Sequence, residues 1–315
     1  MDEEFAESDA PKWGGRGENE QFGHASVLLQ EAIDFLAIRR GGTYIDATLG
    51  LAGHSYEFAK RLGAQGRLIG FDKDSAALEI ARRRLERPLA QLASDWPQIE
   101  LVNASFAEIA KHVAPQSADG LLADLGLSSM QLEDAARGFS FQAEGPLDMR
   151  MDVRSERTAD QVVNRLDERT LADVIYEFGE ERRSRRIARA IVRSRPIRST
   201  RHLAEVISAA GRPVKSDRIH PATRTFQAIR ICVNRELEDL EALLKSAPQV
   251  LRPRGRLVII SFQSLEDRRV KNALREGERS ELYRVLTKKP VTARAAEVDR
   301  NPRSRSAKLR AAERV

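Results

Sequence analysis

A single cysteine, Cys232, is all the thiol chemistry this chain of 315 residues carries. It excludes an internal disulfide and a zinc site built from cysteines, and it points to the reducing cytosol, so a cytoplasmic protein is expected. No apolar run approaches the ~20 residues of a membrane span, and no signal peptide opens the chain. A membrane role is therefore not expected. No internal repeat is evident either.

What the chain does have is charge. Hydrophobic residues make up 41% and charged residues 32%, which is the balance of a soluble globular protein, and the length favours about two domains. The formal charge of +6 hides an asymmetry, because residues 1 to 20 hold seven acids against Lys12 and Arg16. That local −5 leaves +11 for the remainder. Such a surplus favours a polyanionic partner over a merely well-solvated surface. Residues 1–22 read as a disordered acidic tail.

The organising stretch runs from Thr43 to Asp72. It reads as a short apolar strand (Thr43, Tyr44, Ile45, Asp46), a turn bearing Gly50, Ala52 and Gly53, a helix, and a second strand from Arg67 to Phe71 ending on Asp72. In such a βαβ unit the small residues let a ligand approach a helix N-terminus, and Asp72 is placed to accept both ribose hydroxyls. A nucleoside cofactor follows. The turn is G-x-x-G and lacks the G-x-G-x-x-G of pyrophosphate-cradling sites, while the extra carboxylate Asp46 would repel phosphates. Both features favour S-adenosylmethionine, with its cationic amino and sulfonium groups, over NAD. An ordinary βαβ unit without ligand is the plain alternative.

Upstream, order is expected from Gly23 and His24, with Ser26 capping a helix that carries Val27, Leu28, Ala32, Phe35 and Leu36. Downstream, Asp74 is the expected N-cap of a helix burying Leu78, Ala81 and Leu85, with Arg82, Arg83 and Arg84 mostly outward and Pro88 as its limit. Further strands fit Ile99 to Val102 and Gly120 to Asp124, so a parallel α/β sheet is expected. From Ser128 to about Arg218 there is no convincing strand. Helices fit Ala159 to Leu166, Glu168 to Phe178, Glu180 to Arg195 and Thr200 to Ala210, broken by Gly179, Pro196, Gly211 and Pro213. The α/β pattern resumes with one long helix, Ala222 to Val250, and a strand from Arg256 to Phe262. A closing strand pair is expected at Leu282 to Thr287 and Pro290 to Thr292.

All four strand tips carry groups suited to a ligand: Asp46 with Gly50 to His54, Asp72, Ser105 with Phe106, and Asp124. Phe106 could stack on an adenine or belong to the core, and Asp124 reads better as a reacting-centre residue than as a helix cap. The strings DATLGLAGHS (Asp46 to Ser55), IGFDKD (Ile69 to Asp74), DGLLADLGLSSMQL (Asp119 to Leu132), RGFSF (Arg137 to Phe141) and GPLDMRMD (Gly145 to Asp152) carry a more specific resemblance. With FGEERRSRRIARAI (Phe178 to Ile191), HPATRTFQAIRICVNREL (His220 to Leu237), ISFQSLEDR (Ile260 to Arg268) and NPRSRSAKLR (Asn301 to Arg310), the chain resembles the ribosomal RNA small subunit methyltransferase H family, also called MraW.

The resemblance implies a Rossmann-like class I methyltransferase core, residues 23–128 and 219–315, with an inserted all-helical domain over 129–218. It also implies methyl transfer from S-adenosylmethionine to the exocyclic N4 of one cytidine, cytosine 1402, in the decoding region of 16S rRNA within the small ribosomal subunit. Its cofactor contacts carry over to Ala52, Gly53, His54, Asp72, Phe106, Asp124 and Gln131, with Asp124 also the catalytic candidate. Two positions depart from the family. Ala52 stands where glycine is usual, which would crowd the cofactor slightly, and Gln263 replaces the histidine of SFHSLEDR and cannot serve as a general base.

For RNA, Arg182, Arg185, Arg186, Arg189 and Arg193 fall on one face of a single predicted helix, and phosphate contact is the expected use. The basic stretch from Arg294 to Arg314 reads as an RNA clamp or a fraying end. His220, Pro221 and Arg224 could face the pocket or only start a helix, and Met149 and Met151 could be lid or core. Cys232, between Ile231 and Val233, reads as a core residue, which argues against C5 methylation through a cysteine nucleophile. A homodimer is left open. The rivals to this reading are an assembly factor that holds the cofactor without turnover and an NAD oxidoreductase.

Overall fold

The protein is described here from a computed structural model, which covers residues 26–86, 88, 90–210 and 220–315. The acidic tail 1–22, the expected start of order at Gly23 and His24, and the breakers Gly211 and Pro213 lie outside the described residues.

Seven strands form one sheet: β1 Thr43–Asp46, β2 Arg67–Phe71, β3 Gln98–Val102, β4 Ala118–Asp124, β5 Leu251–Ser261, β6 Tyr283–Val285 and β7 Lys308–Arg314. Their order is β3-β2-β1-β4-β5-β7-β6, with the first five parallel and β7 antiparallel to both neighbours. Successive strand residues alternate between two core layers. Tyr44, Leu68, Leu122 and Val258 pack with helices Leu29–Leu36, Gly53–Leu62 and Ser75–Leu85, whereas Ile45, Ile69, Leu121 and Leu257 pack with Glu236–Val250 and Ser264–Arg279. The chain reverses direction across the sheet between β1 and β4, which opens a crevice at the carboxyl ends of those two strands.

Helices Ala159–Arg165, Glu168–Gly179, Ser184–Arg193 and Thr200–Ala210 share a separate apolar cluster with helix Ala222–Asn234, and Cys232 is buried in it. The expected helix from Glu180 starts instead at Ser184, because Glu180, at φ +49°, closes the preceding helix in the left-handed region. The expected long helix from Ala222 to Val250 is two helices. Arg235 at φ +54° breaks it, and Arg230 grips Glu236 across the break at 2.7 and 2.8 Å. That break presents Asn234, whose amide donates to the Met149 carbonyl and accepts from the Met151 N–H, each at 2.7 Å. Met149 and Met151 are consequently both buried.

Two further expectations are corrected. Ser26 does not cap the first helix: Leu28 holds that position at φ +50°, and its N–H goes to Glu297 Oε1 at 2.8 Å. Pro290 to Thr292 supplies only an isolated bridge, Val291 to Leu309, and the true closing strand is β7. Over 308–314 the basic C-terminal stretch is thus a paired strand and not a frayed end. Leu309, Ala311 and Ala312 are buried, and the charges between them are neutralised by partners distant in sequence, Arg310 by Asp267 at 2.6 Å and Glu313 by Arg256 at 2.8 Å.

Leu309→Ala should therefore cost about 2 to 5 kcal/mol of stability, as core truncations do, measured by urea denaturation. A change within about 0.5 kcal/mol would return the segment to the surface.

Candidate active site

The carboxyl ends of β1, β2, β4 and β5 border one cleft, walled by Gly50, Gly53 and His54, by Asp72, by Ser105 and Phe106, by Asp124 to Ser128, and by Phe262 and Glu266. Its floor is built by the first turn. Ala52 takes the left-handed conformation at φ +59° and Gly53 starts the helix, packed so closely that a Cβ there would lie 2.1 Å from Ser26 Oγ. The Ala52 methyl is fully buried in the core, and Ala52 is not among the residues that line the cleft. What alanine costs at this position is backbone strain, on the order of 1 kcal/mol. Asp46 lies beneath the turn, buried, accepting from Ser55 Oγ at 2.7 Å and from Thr48 N–H at 3.1 Å. Burial pushes its carboxyl to about 6.

Asp72 closes the next wall. Its Oδ2 accepts from the Gly50 N–H and its Oδ1 from the Asp74 N–H, both at 2.8 Å, which fixes the carboxylate and leaves each oxygen further acceptor capacity. Desolvation pushes it to about 6 as well. Beyond β3, Lys73 and Ser105 converge on Asp239 at 2.9 and 2.8 Å, which holds the turn that carries Phe106 into the cleft. Phe106 packs partly against the core layer behind it, so it is both cleft wall and core edge. Gln131 is buried; its Oε1 accepts from the Ser128 N–H at 3.1 Å and its Nε2 donates to Asp74 Oδ2 at 2.9 Å. Both ends of that amide are engaged in holding the loop after β4 to the N-terminus of helix Ser75–Leu85.

Asp124 ends β4, where its N–H donates to Thr48 Oγ1 at 2.6 Å. Its Oδ1 is buried and has no hydrogen-bond partner, and its Oδ2 lies 3.7 Å from His54 Nδ1. Desolvation, with the nearby charges of Asp46 and Glu266, holds this carboxyl well above the usual range. Gln263 does not line the cleft. It caps helix Ser264–Arg279, with its Nε2 donating to Glu266 Oε1 at 2.8 Å.

Sequence reasoning missed three wall residues. Arg84 was expected outward, yet it is buried, lines the cleft and donates to the Leu51 carbonyl at 3.1 Å. The signal was present, since Ala77, Ala81 and Arg84 recur at four- and three-residue steps on the buried face. Glu266 is buried one turn into its helix, and Arg303 arrives from the C-terminal region to meet Ser129. His220 stands outside the cleft, stacked on Phe141 at 4.6 Å, and so only begins its helix.

On the helical cluster, Arg182, Arg185, Arg186, Arg189 and Arg193 are all exposed. Arg182 lies in the loop before helix Ser184–Arg193, while the other four share the side opposite buried Ile187, Ala188 and Ile191. Arg189 pairs with Glu168 at 3.1 Å, whereas Arg185, Arg186 and Arg193 make no ion pair among the described residues.

A family model described as the MraW methylase family matches residues 21–315. The chain belongs to that family. Among its relatives, the ribosomal RNA small subunit methyltransferase H of Koribacter versatilis is 69% identical over 316 residues, covering 100% of both chains. That of Acidobacterium capsulatum is 62% identical over 92% of this chain and 98% of its own, and that of Sorangium cellulosum 52% over 93% and 91%. A solved SAM-dependent methyltransferase from Aquifex aeolicus aligns over 95% of this chain and 97% of its own with 10% identity and a TM-score of 0.43.

The donor set fits S-adenosylmethionine. Asp72 offers two fixed acceptors for ribose hydroxyls, Phe106 an aromatic face, and the acids at the strand tips a negative field for the cationic sulfonium and amino groups. No group of three or more histidine, cysteine or acidic residues suited to a metal ion occurs among the described residues.

Asp72→Ala should weaken S-adenosylmethionine binding more than tenfold by calorimetry, since two hydrogen bonds to a charged acceptor are lost at about 1.5 to 3 kcal/mol each. Unchanged affinity would remove Asp72 from the site. A pH dependence follows from the raised carboxyls. Cations and hydroxyl donors bind the ionised forms, so affinity should fall as pH drops through about 6 and level off above it. Affinity that is flat from pH 5 to 8 would contradict this.

Proposed function

We propose that this protein methylates the exocyclic N4 of cytosine 1402 in 16S rRNA, within the small ribosomal subunit in the cytoplasm, using S-adenosylmethionine. Relatives sharing 69% and 62% of its residues are named ribosomal RNA small subunit methyltransferase H, which supports the substrate class. The observation that supports the choice of an amino group is the Asp124 carboxyl group in the cleft wall, whose side chain is 24% exposed and whose Oδ1 has no hydrogen-bond partner. A cytosine amino group is the donor it lacks.

S-adenosylmethionine supplies an activated methyl on a sulfonium sulfur. Cytosine N4 is a weak nucleophile because its lone pair is delocalised into the ring, so alignment at ~3 to 3.5 Å is the main demand on the protein. Asp124, with the Leu125 carbonyl beside it, would hold the amino hydrogens and draw the lone pair out of conjugation. C5 methylation would need a thiolate at the base. Cys232 is buried among the helices, away from the cleft walls, and burial pushes its thiol up. The nucleotide would be unstacked to reach the cleft.

Digestion of unmodified small subunits after incubation with enzyme and cofactor should yield N4-methylcytidine at one position by mass spectrometry. Cofactor binding with no methylated product would instead describe an assembly factor. The arginine stripe is the proposed phosphate contact. Replacing Arg182, Arg185, Arg186 and Arg189 with Gln should weaken subunit binding and lower its salt slope by up to about one unit per lost contact. Cofactor affinity should stay the same, and an unaltered slope would leave the stripe a solvated face.

A further inference from the structure

His54 and Asp124 face each other across the cleft, one from the first turn of helix Gly53–Leu62 and the other from the tip of β4. The ring is buried, and its Nε2–H donates to the Val27 carbonyl at 3.0 Å, which turns Nδ1 toward Asp124 Oδ2 at 3.7 Å. With hydrogen fixed on Nε2, a neutral ring would aim a lone pair at an ionised carboxylate. Opposed acceptors repel in a desolvated site, which favours a proton on one of the two groups. A proton on Nδ1 would leave both ring hydrogens facing oxygens, the Val27 carbonyl and Asp124 Oδ2.

The surroundings show why this matters. Asp46 from β1 and Glu266 from helix Ser264–Arg279 both add negative charge around Asp124, and Asp72 adds another acid at the tip of β2. Arg84, from helix Ser75–Leu85, reaches the same turn but donates to the Leu51 carbonyl. Left to its acidic neighbours and its desolvation, Asp124 would keep its proton and could not act as a base.

We propose that His54 is a positioning residue for methyl transfer, an imidazolium that keeps Asp124 ionised and directed at the substrate amino group. The proposal rests on the cytosine N4 reading. In the step it serves, the N4–C bond forms as the S–C bond breaks onto sulfur. The nitrogen becomes cationic, and one of its hydrogens leaves as a proton to the Asp124 carboxylate. A ring that only touched the cofactor would alter affinity and leave the charge of Asp124 alone.

The test is single-turnover methylation of unmodified subunits at saturating S-adenosylmethionine from pH 5.5 to 9, comparing wild type, His54→Gln and Asp124→Asn. Glutamine keeps an N–H for the Val27 carbonyl and lacks a titrating group. His54→Gln should shift the acid limb of the rate upward by about one pH unit or more, a loss of roughly tenfold at pH 7 that recovers toward pH 9. Saturating each variant with cofactor keeps any change in cofactor affinity out of the profile, and Asp124→Asn should be slow, on the order of 10², at every pH. A wild-type limb in His54→Gln, a loss equal at every pH, or a loss confined to cofactor affinity would each overturn the proposal. If His54→Gln gives no cooperative melt, the wild-type profile decides, and a rate flat from pH 5.5 to 8 overturns it. A wild-type digest with a methylated nucleoside other than N4-methylcytidine would show that the substrate reading had failed, and the proposal with it.

Discussion

Three aspartates stand at the tips of neighbouring parallel strands, and the cost of holding their charge away from water shapes everything around them. Asp46 and Asp72 are each met by two donors, supplied by the turn and helix start that follow β1 and by the helix start that follows β2. The turn geometry, with Ala52 left-handed and Gly53 pressed on Ser26, is what brings those donors to the carboxylates. Asp124 is different. It has one distant cationic candidate, one orphan oxygen and two acidic neighbours, and so remains the unsatisfied member of the set. Folding tolerates such a group where a ligand completes it.

The helical cluster is tied to this site through a few polar junctions. Arg137 reaches from the cluster side to Asp74 Oδ2 at 2.8 Å and to the carbonyls of Arg150 and Met151. Asn234 holds the same methionine loop from the other side, and Met151 lines the cleft. The apolar cluster that includes helix Ser184–Arg193 is therefore tied to the cleft wall by a few buried and half-buried hydrogen bonds. A substrate engaged at the stripe would lean on residues that also shape the cleft.

How much of this was legible depends on whether the signal was local. The βαβ unit, the cap at Asp74 and the strand tips were readable because apolar runs, small residues and carboxylates follow one another within a few positions. β7 was not, because its apolar residues are interleaved with lysine, arginines and a glutamate whose partners Asp267 and Arg256 lie elsewhere in the chain. Charge composition there indicated surface, and tertiary pairing decided otherwise. Arg84 fell to the same habit, although its helical position was on the buried face. The strand-tip pattern put His54 and Asp124 in one site, but their approach to 3.7 Å follows from the pairing of β1 with β4, which no local signal shows.

The departure at Gln263 also becomes intelligible in these terms. The capping box needs a donor toward Glu266, and Gln263 supplies one from its side chain and another from its backbone N–H at 3.3 Å, while the Phe262 N–H adds a third at 3.0 Å. A neutral histidine presents one donor nitrogen and one acceptor nitrogen; a glutamine presents an amide nitrogen and an amide oxygen in the same roles. Gln263 uses the donor end of its amide toward Glu266, while its Oε1 is buried without a partner, and it cannot titrate. Gln263 itself is not among the residues that line the cleft. Glu266, anchored by its three donors, then acts on the chemistry only through its negative charge beside Asp124, and that charge is what a cation at His54 would have to oppose.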